Sequence, residues 1–301
     1  PQIDVVCVSH VDDDHIVGIQ RLLTELRRAR RHQLPEPIGI RQLWHNSVAE
    51  LIDTVAAGLS ASVQEVMDQA RADAVVAASY QQGRDVRDLA AALGLGGNPP
   101  FAGPVKRGRV TNLAGLEVTV IGPDDGALAK LAEKWRAAKE RKDPSVITAA
   151  FTDRAVPNLS SVALHVRHGA HTALLTGDAR GDHLLDGLEA TGLVGANATL
   201  HVDVVKLPHH GSENNAAASF FERVHADHYV VSADGIKHAH PSESTLRWLV
   251  QSRLATDDYC VHLTNEIPSA RVTLEQLQKG RRFTLEVRKA NEAAAVIPFA
   301  G

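Results

Sequence analysis

Residues 3–15 read IDVVCVSHVDDDH, an apolar run followed by two histidines and three aspartates within six residues. The apolar part predicts a β-strand, so the polar residues would form a loop held at the end of a rigid element. Carboxylates this close together repel one another unless cations neutralise them. Imidazole and carboxylate donors together suit zinc, manganese or iron better than calcium, which prefers oxygen ligands alone. The stretch therefore predicts a metal site. The alternative is a solvated acidic turn with two incidental histidines.

The composition is that of an ordinary globular protein. With 301 residues, 44% of them hydrophobic, the chain can bury the core of one large or two modest domains. It has no apolar stretch of about 18 residues and no visible signal peptide, so we expect no membrane span and a cytoplasmic location. Cys7 and Cys260 lie in apolar runs and are expected to be buried thiols. The net charge of −4 gives no global attraction to nucleic acid, although basic residues cluster at 27–31 and 134–142.

Apolar periodicity predicts the elements of the remaining chain. Helical spacing is found behind Ser47 up to Leu59, between Val86 and Leu93, and after Asp125. Strands are expected near residues 3–9, 116–121, 162–166, 172–176, 202–207, 228–232, 259–264 and 283–287. We interpret residues 1–290 as one domain, with residues 47–110 as a helical insertion and residues 291–301 as a frayed or partner-bound tail.

Three later segments share the design of the first, an apolar run that ends in polar residues able to bind metal. The first of them ends in Thr176-Gly177-Asp178, and the second continues into the turn Pro208–Ser212, which holds the adjacent pair His209 and His210. The third is residues 237–242, where His240 precedes a proline. Taken singly, each has an ordinary alternative as a surface turn or a helix cap.

In this order the four segments resemble the metallo-β-lactamase-fold hydrolases. They are most similar to the branch found as the hydrolase domain of bacterial DNA-uptake (competence) channel proteins and in related stand-alone enzymes. The first motif of that branch reads His-x-His/Asp-x-Asp-His, then an apolar residue and glycine, and residues 10–18 match it. Residues 158–161 and the three later segments match its other motifs. The resemblance covers roughly residues 1–249 and implies an α/β protein with an αββα sandwich, in which helices cover two facing sheets.

The resemblance also implies a dinuclear metal site with Zn or Mn. Its ligands would be His10, Asp12, Asp14, His15, Asp178, His209 and His210. His10 and Asp12 would hold one ion, Asp14 and His15 the other, and Asp178 would bridge them. One histidine of the adjacent pair would complete the first site, and we favour His209 slightly. Two such ions would activate a hydroxide for attack at phosphorus.

Further roles follow from the same resemblance. Asp14 would orient the hydroxide as well as bind metal. His240 would lie close to the second ion or to the leaving group, and its protonated form would assist the leaving oxygen. Ser212 and Asn214 would donate to a phosphate oxygen, although hydrogen bonding within the turn is the better explanation for both.

The sequence departs from the family pattern at two informative places. Asp12 stands where most of the superfamily has histidine, which makes the donor set richer in oxygen and favours manganese. Family members normally carry several strands before the first motif, which here begins at His10. We therefore expect half of one sheet to be absent from this sequence, supplied by a removed segment, a companion N-terminal fragment or residues outside this numbering.

Three functions are consistent with these motifs. The first is a metal-dependent phosphodiesterase, with DNA or RNA as the substrate. The second is a small-molecule hydrolase acting on a phosphodiester, a phosphocholine ester or a lactone. The third is a latent effector that a partner chain or a regulatory protease activates. The basic clusters favour the nuclease, whereas the acidic net charge does not.

Overall fold

The computed structural model describes residues 1–55, 57–58, 61, 74–113, 115–141, 160–236 and 238–299. The predicted helical residue Leu59, the motif residue Asn158 and the basic residue Lys142 lie outside these ranges. The chain forms two compact units. The first comprises Pro1–Arg109 and Pro123–Val162, and the second comprises Val110–Gly122 and Ala163–Gly301.

The first unit is a small parallel sheet with helices. Strand β1 (Gln2–Val8) pairs with β2 (Gly39–His45) in parallel, and the helix that connects them is α1 (Asp13–Arg31). The other helices are α2 (Val48–Val55), α3 (Ala74–Ala92) and α4 (Asp125–Arg141). Their apolar faces form one core, in which α1 packs against α3. The helices predicted between residues 47 and 59, between 86 and 93, and after Asp125 are therefore present.

The start of α2 shows how local sequence directs a helix. Ser47 Oγ accepts a hydrogen bond from Glu50 N at 3.2 Å, and the Glu50 carboxylate accepts one from Ser47 N at 3.1 Å. This reciprocal arrangement is a capping box, which satisfies two backbone donors that the helix itself leaves without acceptors. The serine cap predicted from the sequence is confirmed, and Glu50 completes it.

Helix α1 corrects our interpretation of the first motif. We expected His10–His15 to be a loop, but Asp13, Asp14 and His15 already belong to α1. The helix buries Ile16, Leu23, Leu26 and Ala29. Acidic residues in a first helical turn are stabilised by the partial positive charge of the helix N-terminus. The acidic cluster that suggested a loop is thus also a favourable helix start.

The second unit is built on one mixed sheet of eight strands. Its order is β10-β9-β8-β7-β6-β5-β4-β3, where β3 to β6 are antiparallel and β6 to β10 are parallel. The strands are β3 (Val110–Leu113), β4 (Leu116–Gly122), β5 (Ala163–His168), β6 (His171–Leu175), β7 (Leu200–Lys206), β8 (Val224–Val231), β9 (Cys260–Leu263) and β10 (Thr284–Val287). The predicted α/β class is correct, and the sequence analysis had missed β2 and β3 as separate strands.

Four helices pack on this sheet and share one core with it. They are α5 (Gly181–Ala190), α6 (Ala218–Arg223), α7 (Glu243–Gln251) and α8 (Pro268–Leu277). Gly187 of α5 shows how closely they approach, since a Cβ atom there would lie only 2.2 Å from the carbonyl oxygen of Ile121. Residues 291–299, part of the predicted tail, contain no helix or strand.

The parallel part of the sheet determines where the second group of motifs lies. The segment after β6 carries Asp178, the segment after β7 carries His209 and His210, and the segment after β8 leads to His240. Because carboxyl ends of adjacent parallel strands meet at one edge of a sheet, three segments distant in sequence come together there.

The two cysteines differ from each other. Cys260 is buried as predicted, whereas Cys7 is exposed on β1, so the prediction of a buried thiol at Cys7 is wrong. Side chains alternate between the two faces of a strand, and the Cys7 side chain projects opposite to that of the buried Val8. Within the described residues, no helix has the length and apolar character needed to cross a bilayer.

Candidate metal centres

The first candidate centre, called the His10 cluster here, consists of Ser9, His10, Asp12, Asp14 and His15 in the first unit. His10 Nε2 lies 3.4 Å from Asp12 Oδ2, and His15 Nε2 lies 3.6 Å from Asp14 Oδ2. The two imidazole rings are 4.1 Å apart between centroids. His10 is buried, whereas the carboxylates of Asp12 and Asp14 reach the surface. The structure thus brings together all four ligands that the first motif predicted.

Ser9, which the sequence analysis did not select, orients both imidazoles. Its Oγ lies 3.1 Å from His10 Nδ1 and 2.9 Å from His15 Nδ1. A hydroxyl has two acceptor lone pairs, so it can accept a hydrogen bond from both Nδ1–H groups at once. In that arrangement both Nε2 atoms carry the free lone pair of a neutral imidazole, as a metal ligand must. The Ser9 backbone is itself held, because Val162 N donates to its carbonyl oxygen at 2.8 Å.

Asp12 occupies the N-cap position of α1 but does not cap the helix. Its side chain makes no hydrogen bond to the first turn of α1, although aspartate at this position usually does. Its carboxylate lies beside His10 Nε2 instead.

The second candidate centre, called the Asp178 cluster here, consists of Asp178, Lys206, His209, His210 and His240 in the second unit. Asp178 is buried, with a side chain only 3% exposed, and its Oδ2 lies 3.7 Å from His209 Nε2 and 3.6 Å from His210 Nε2. Lys206 Nζ lies 3.8 Å from Asp178 Oδ1 and donates to the Gly177 carbonyl at 2.9 Å. The His240 ring is 5.6 Å from that of His209 between centroids.

The turn that carries the two adjacent histidines is strained and depends on a glycine. His209 and His210 have φ values of 43° and 54°, in the left-handed region that non-glycine residues rarely adopt. Gly211 follows with φ +82°, and a Cβ atom there would come within 2.6 Å of Pro241 Cβ. Ser242 N donates to the Gly211 carbonyl at 3.0 Å. The glycine therefore allows the segment with His240 to pack against the histidine turn.

Hydrogen bonding distinguishes the two adjacent histidines. His210 Nδ1 hydrogen-bonds the backbone carbonyl of Ser232, which can only accept. Nδ1 must therefore carry the proton, and Nε2, which faces Asp178, carries the lone pair of the neutral ring. This observation favours His210 as a metal ligand, the reverse of our preference from the sequence.

His240 lies in an environment that keeps its imidazole neutral. Burial, followed by the nearby imidazoles of His209, His238 and His210, lowers the pKa of His240 to about 4. Its Nδ1 is buried and has no hydrogen-bond partner among the residues that the structure describes. A neutral ring near pH 7 is suited to binding a cation and is poorly suited to the protonated role that we expected from the sequence.

The donor atoms in both clusters fit divalent metal ions. Two ligands bound to one ion at about 2.1 Å with tetrahedral geometry lie about 3.4 Å apart. The imidazole–carboxylate pairs of the two clusters are separated by 3.4, 3.6, 3.6 and 3.7 Å. These separations are longer than a normal hydrogen bond. Neutral imidazole with carboxylate is also the donor chemistry of zinc and manganese sites.

The predicted substrate contacts have different environments. Ser212 is buried and its backbone N–H donates to the His209 carbonyl at 2.8 Å, as expected for a turn residue. Asn214 is exposed. Its neighbour Asn215, which the sequence analysis missed, is buried and donates through Nδ2 to the Asp178 carbonyl at 3.1 Å. Asn215 therefore positions the backbone of the candidate ligand Asp178.

Comparison with known proteins does not assign this chain to a family. No family model matches this chain, and no curated protein matches it either. Any functional assignment therefore rests on the motifs and on the geometry within each unit.

Proposed function

We propose that this chain is a metal-dependent phosphodiesterase that cleaves DNA or RNA. The observation that carries the proposal is the set of four imidazole–carboxylate pairs at 3.4 to 3.7 Å, in which the rings of His10, His15 and His210 are also hydrogen-bonded through Nδ1. Here Ser9 holds the Nδ1 atoms of His10 and His15, and Ser232 holds that of His210, while the Nε2 atoms face carboxylates.

The proposal includes the dinuclear centre of the metallo-β-lactamase fold, with its αββα sandwich, and assigns both clusters to it. His10, Asp12, Asp14 and His15 would supply one group of ligands, and Asp178 with His210 or His209 the other. Bound divalent ions supply Lewis-acid stabilisation of a phosphoryl oxygen and lower the pKa of water towards neutrality. The protein's own residues would position these ligand side chains.

In this proposal Lys206 lies beside the Asp178 carboxylate, and Asn215 fixes the Asp178 backbone. The ammonium group of Lys206 lies 3.8 Å from Asp178 Oδ1 and offsets the negative charge of this buried carboxylate. Asn215 holds the Asp178 backbone. His240, neutral near pH 7, would bind an ion or accept a proton from substrate rather than donate one.

Exposed arginines support nucleic acid as the substrate class. Arg27, Arg28 and Arg31 are exposed on the last turns of α1, where they can contact phosphates without loss of core packing. Cleavage that depends on this surface must weaken as salt concentration rises.

The test is cleavage of labelled DNA and RNA with added Mn²⁺ or Zn²⁺, using the variants Asp14→Ala and His15→Ala. Asp13→Ala is a matched control, since Asp13 is an exposed aspartate in the same first turn of α1. We expect metal-dependent cleavage by the wild type and Asp13→Ala and a large loss in the other two. Absence of metal-dependent cleavage of any nucleic acid by the intact protein would refute the nuclease.

A chromogenic phosphodiester measured in parallel separates the substrate classes. Turnover of this compound, without nucleic-acid cleavage or salt-sensitive binding, would point to a small-molecule phosphodiesterase instead. Mass spectrometry of the natural protein tests the latent effector, because full activity of an unprocessed chain without a partner argues against activation.

Metal analysis tests the assignment of both clusters to one centre. If they form one centre, Asp178→Asn and His15→Ala will each lower the affinity for both ions. Two independent sites would instead lose one equivalent in each variant.

A further inference from the structure

A third group of metal-competent side chains lies in the parallel sheet of the second unit. His228 is on β8, and Cys260 and His262 are on β9. Cys260 lies directly opposite His228 in the register of these strands. Cys260 and His262 are two residues apart on one strand, so their side chains project from the same face of the sheet.

The donor atoms of these residues converge. One donor atom from each of the three side chains lies within 4.8 Å of the other two. His228 Nδ1 is 2.9 Å from His262 Nε2. Cys260 and His262 are buried and His228 is partly exposed, so the group is largely buried but reaches the surface at His228.

Glu286 of the neighbouring strand β10 completes the arrangement. It lies opposite His262 in the register, and its Oε2 is 3.2 Å from His262 Nδ1. A carboxylate that accepts from the rear nitrogen of a histidine holds the opposite nitrogen, Nε2, ready to bind a metal. Here Nε2 is the atom that faces His228.

We propose that His228, Cys260 and His262 bind a zinc ion at a site separate from the His10 and Asp178 clusters. Two imidazoles and one thiolate are ligands that zinc prefers, and three protein ligands leave a fourth position for solvent. The site does not depend on the proposed phosphodiesterase activity, because none of its residues belongs to either cluster.

Proton and charge balance agree with this assignment. Burial raises the pKa of the Cys260 thiol and lowers the pKa of His262, so without metal the thiol is protonated and the imidazole is neutral. Zinc binding displaces the thiol proton to solvent and breaks the hydrogen bond between the two histidines. The proton of that bond moves through solvent from His228 Nδ1 to His228 Nε2, so that His228 Nδ1 and His262 Nε2 each give a lone pair to the ion. The thiolate and the Glu286 carboxylate together balance the two positive charges.

The alternative is a hydrogen-bonded histidine pair that only packs in the sheet. Cobalt(II) distinguishes the two, since a thiolate bound to cobalt produces a sulfur-to-metal charge-transfer band in the near ultraviolet. The chain has two cysteines, and neither belongs to the His10 or Asp178 cluster. The band therefore reports this site whatever metal the two clusters bind.

Cobalt titration of the full chain should use Cys260→Ser and Cys7→Ser as matched variants. We expect the wild type and Cys7→Ser to develop the charge-transfer band at saturating cobalt and Cys260→Ser to lack it. A wild type without the band at saturating cobalt would overturn the proposal, as would a band that survives in Cys260→Ser. Loss of the band in His262→Gln, with an unchanged circular dichroism spectrum, would support it.

Alkylation of the wild-type protein gives a measurement that needs no variant. Zinc should slow alkylation of Cys260 at least about tenfold while the exposed Cys7 reacts at an unchanged rate. Equal rates of Cys260 alkylation with and without zinc would overturn the proposal. Protection by copper alone would overturn the choice of zinc.

Discussion

The His10 cluster and the Asp178 cluster contain similar donors but are built in different ways. In the His10 cluster all members lie within seven consecutive residues, at the end of β1 and the start of α1. The Asp178 cluster takes its members from the end of β7 and from segments that follow three different parallel strands. A contiguous cluster depends on local backbone geometry, whereas a cluster of three segments depends on sheet topology and on how the segments pack.

The difference extends to how each cluster tolerates change. In the His10 cluster a single hydroxyl, that of Ser9, orients two imidazoles. In the Asp178 cluster the support is distributed over Ser232, Asn215, Lys206 and Gly211. We therefore expect function in the first cluster to be sensitive to one side chain. The second should be sensitive to changes in packing and backbone conformation.

Replacing the central carboxylate should have the largest effect. Asp178→Asn removes the charge that faces both adjacent histidines. Metal affinity and any phosphodiesterase activity should fall by more than the roughly 10–100-fold typical of outer-shell partners. Calorimetric metal titration measures the loss, and Asp186→Asn, an exposed site on α5, is the control. Unchanged metal affinity in Asp178→Asn would remove this cluster from the metal centre.

Removing the Ser9 hydroxyl should have the next largest effect. Ser9→Ala leaves both Nδ1 atoms without their shared partner, and we expect metal affinity to fall by about 10–100-fold. Ser9→Thr retains a hydroxyl and should recover most of that affinity, which a purely structural role would not require. Equal affinities for the alanine and threonine variants would show that Ser9 does not position the ligands.

A test of backbone geometry can use two glycines. Gly211→Ala and Gly280→Ala both place a Cβ atom at positive φ, but at Gly280 it meets nothing within 4 Å, whereas at Gly211 it meets Pro241. The Gly280 variant should lower the free energy of unfolding by about 1 kcal/mol from backbone strain alone. The Gly211 variant should lose about 2–3 kcal/mol in urea unfolding. Equal losses would mean that the histidine turn does not need close contact with Pro241.

Lowering the pH should have the smallest effect, a decrease in the free energy of unfolding that arises from His45 on β2. His45 at the end of β2 is buried and its Nε2 is 3.0 Å from the Gly83 carbonyl. Burial lowers the pKa of His45 below its ordinary value of 6.5, so folding favours the neutral ring. This contribution is complete above the unfolded pKa and is lost as the pH falls below it.

Between pH 6.5 and 5.5 we expect the metal-free protein to lose unfolding free energy through His45, by at most about 1 kcal/mol. His45→Gln should reduce this pH dependence, whereas the exposed His32→Gln should not. Urea unfolding at the two pH values measures both. A His45→Gln variant with the wild-type pH dependence would assign the acid sensitivity to other groups.

Several features could be read from the sequence because they depend on neighbours in the chain. Apolar periodicity located seven of the eight strands of the second unit and the helices behind Ser47 and Asp125. The motif His10–His15 identified all the metal-competent members of its cluster, since residues that close in sequence cannot lie far apart in space. The α/β class follows from the same patterns.

Other features were decided by tertiary structure. Helix α1 was hidden because acidic residues at its start resemble a metal-binding loop, and its buried residues become evident only when β1 and α3 cover them. The roles of Ser9 and Asn215 depend on where their polar atoms point, and side-chain direction is set by backbone geometry and packing. The group formed by His228, Cys260 and His262 had no sequence signature, because the register between β8 and β9 brings its members together. Sequence patterns encode local preference, whereas contacts between distant segments arise only when strands pair.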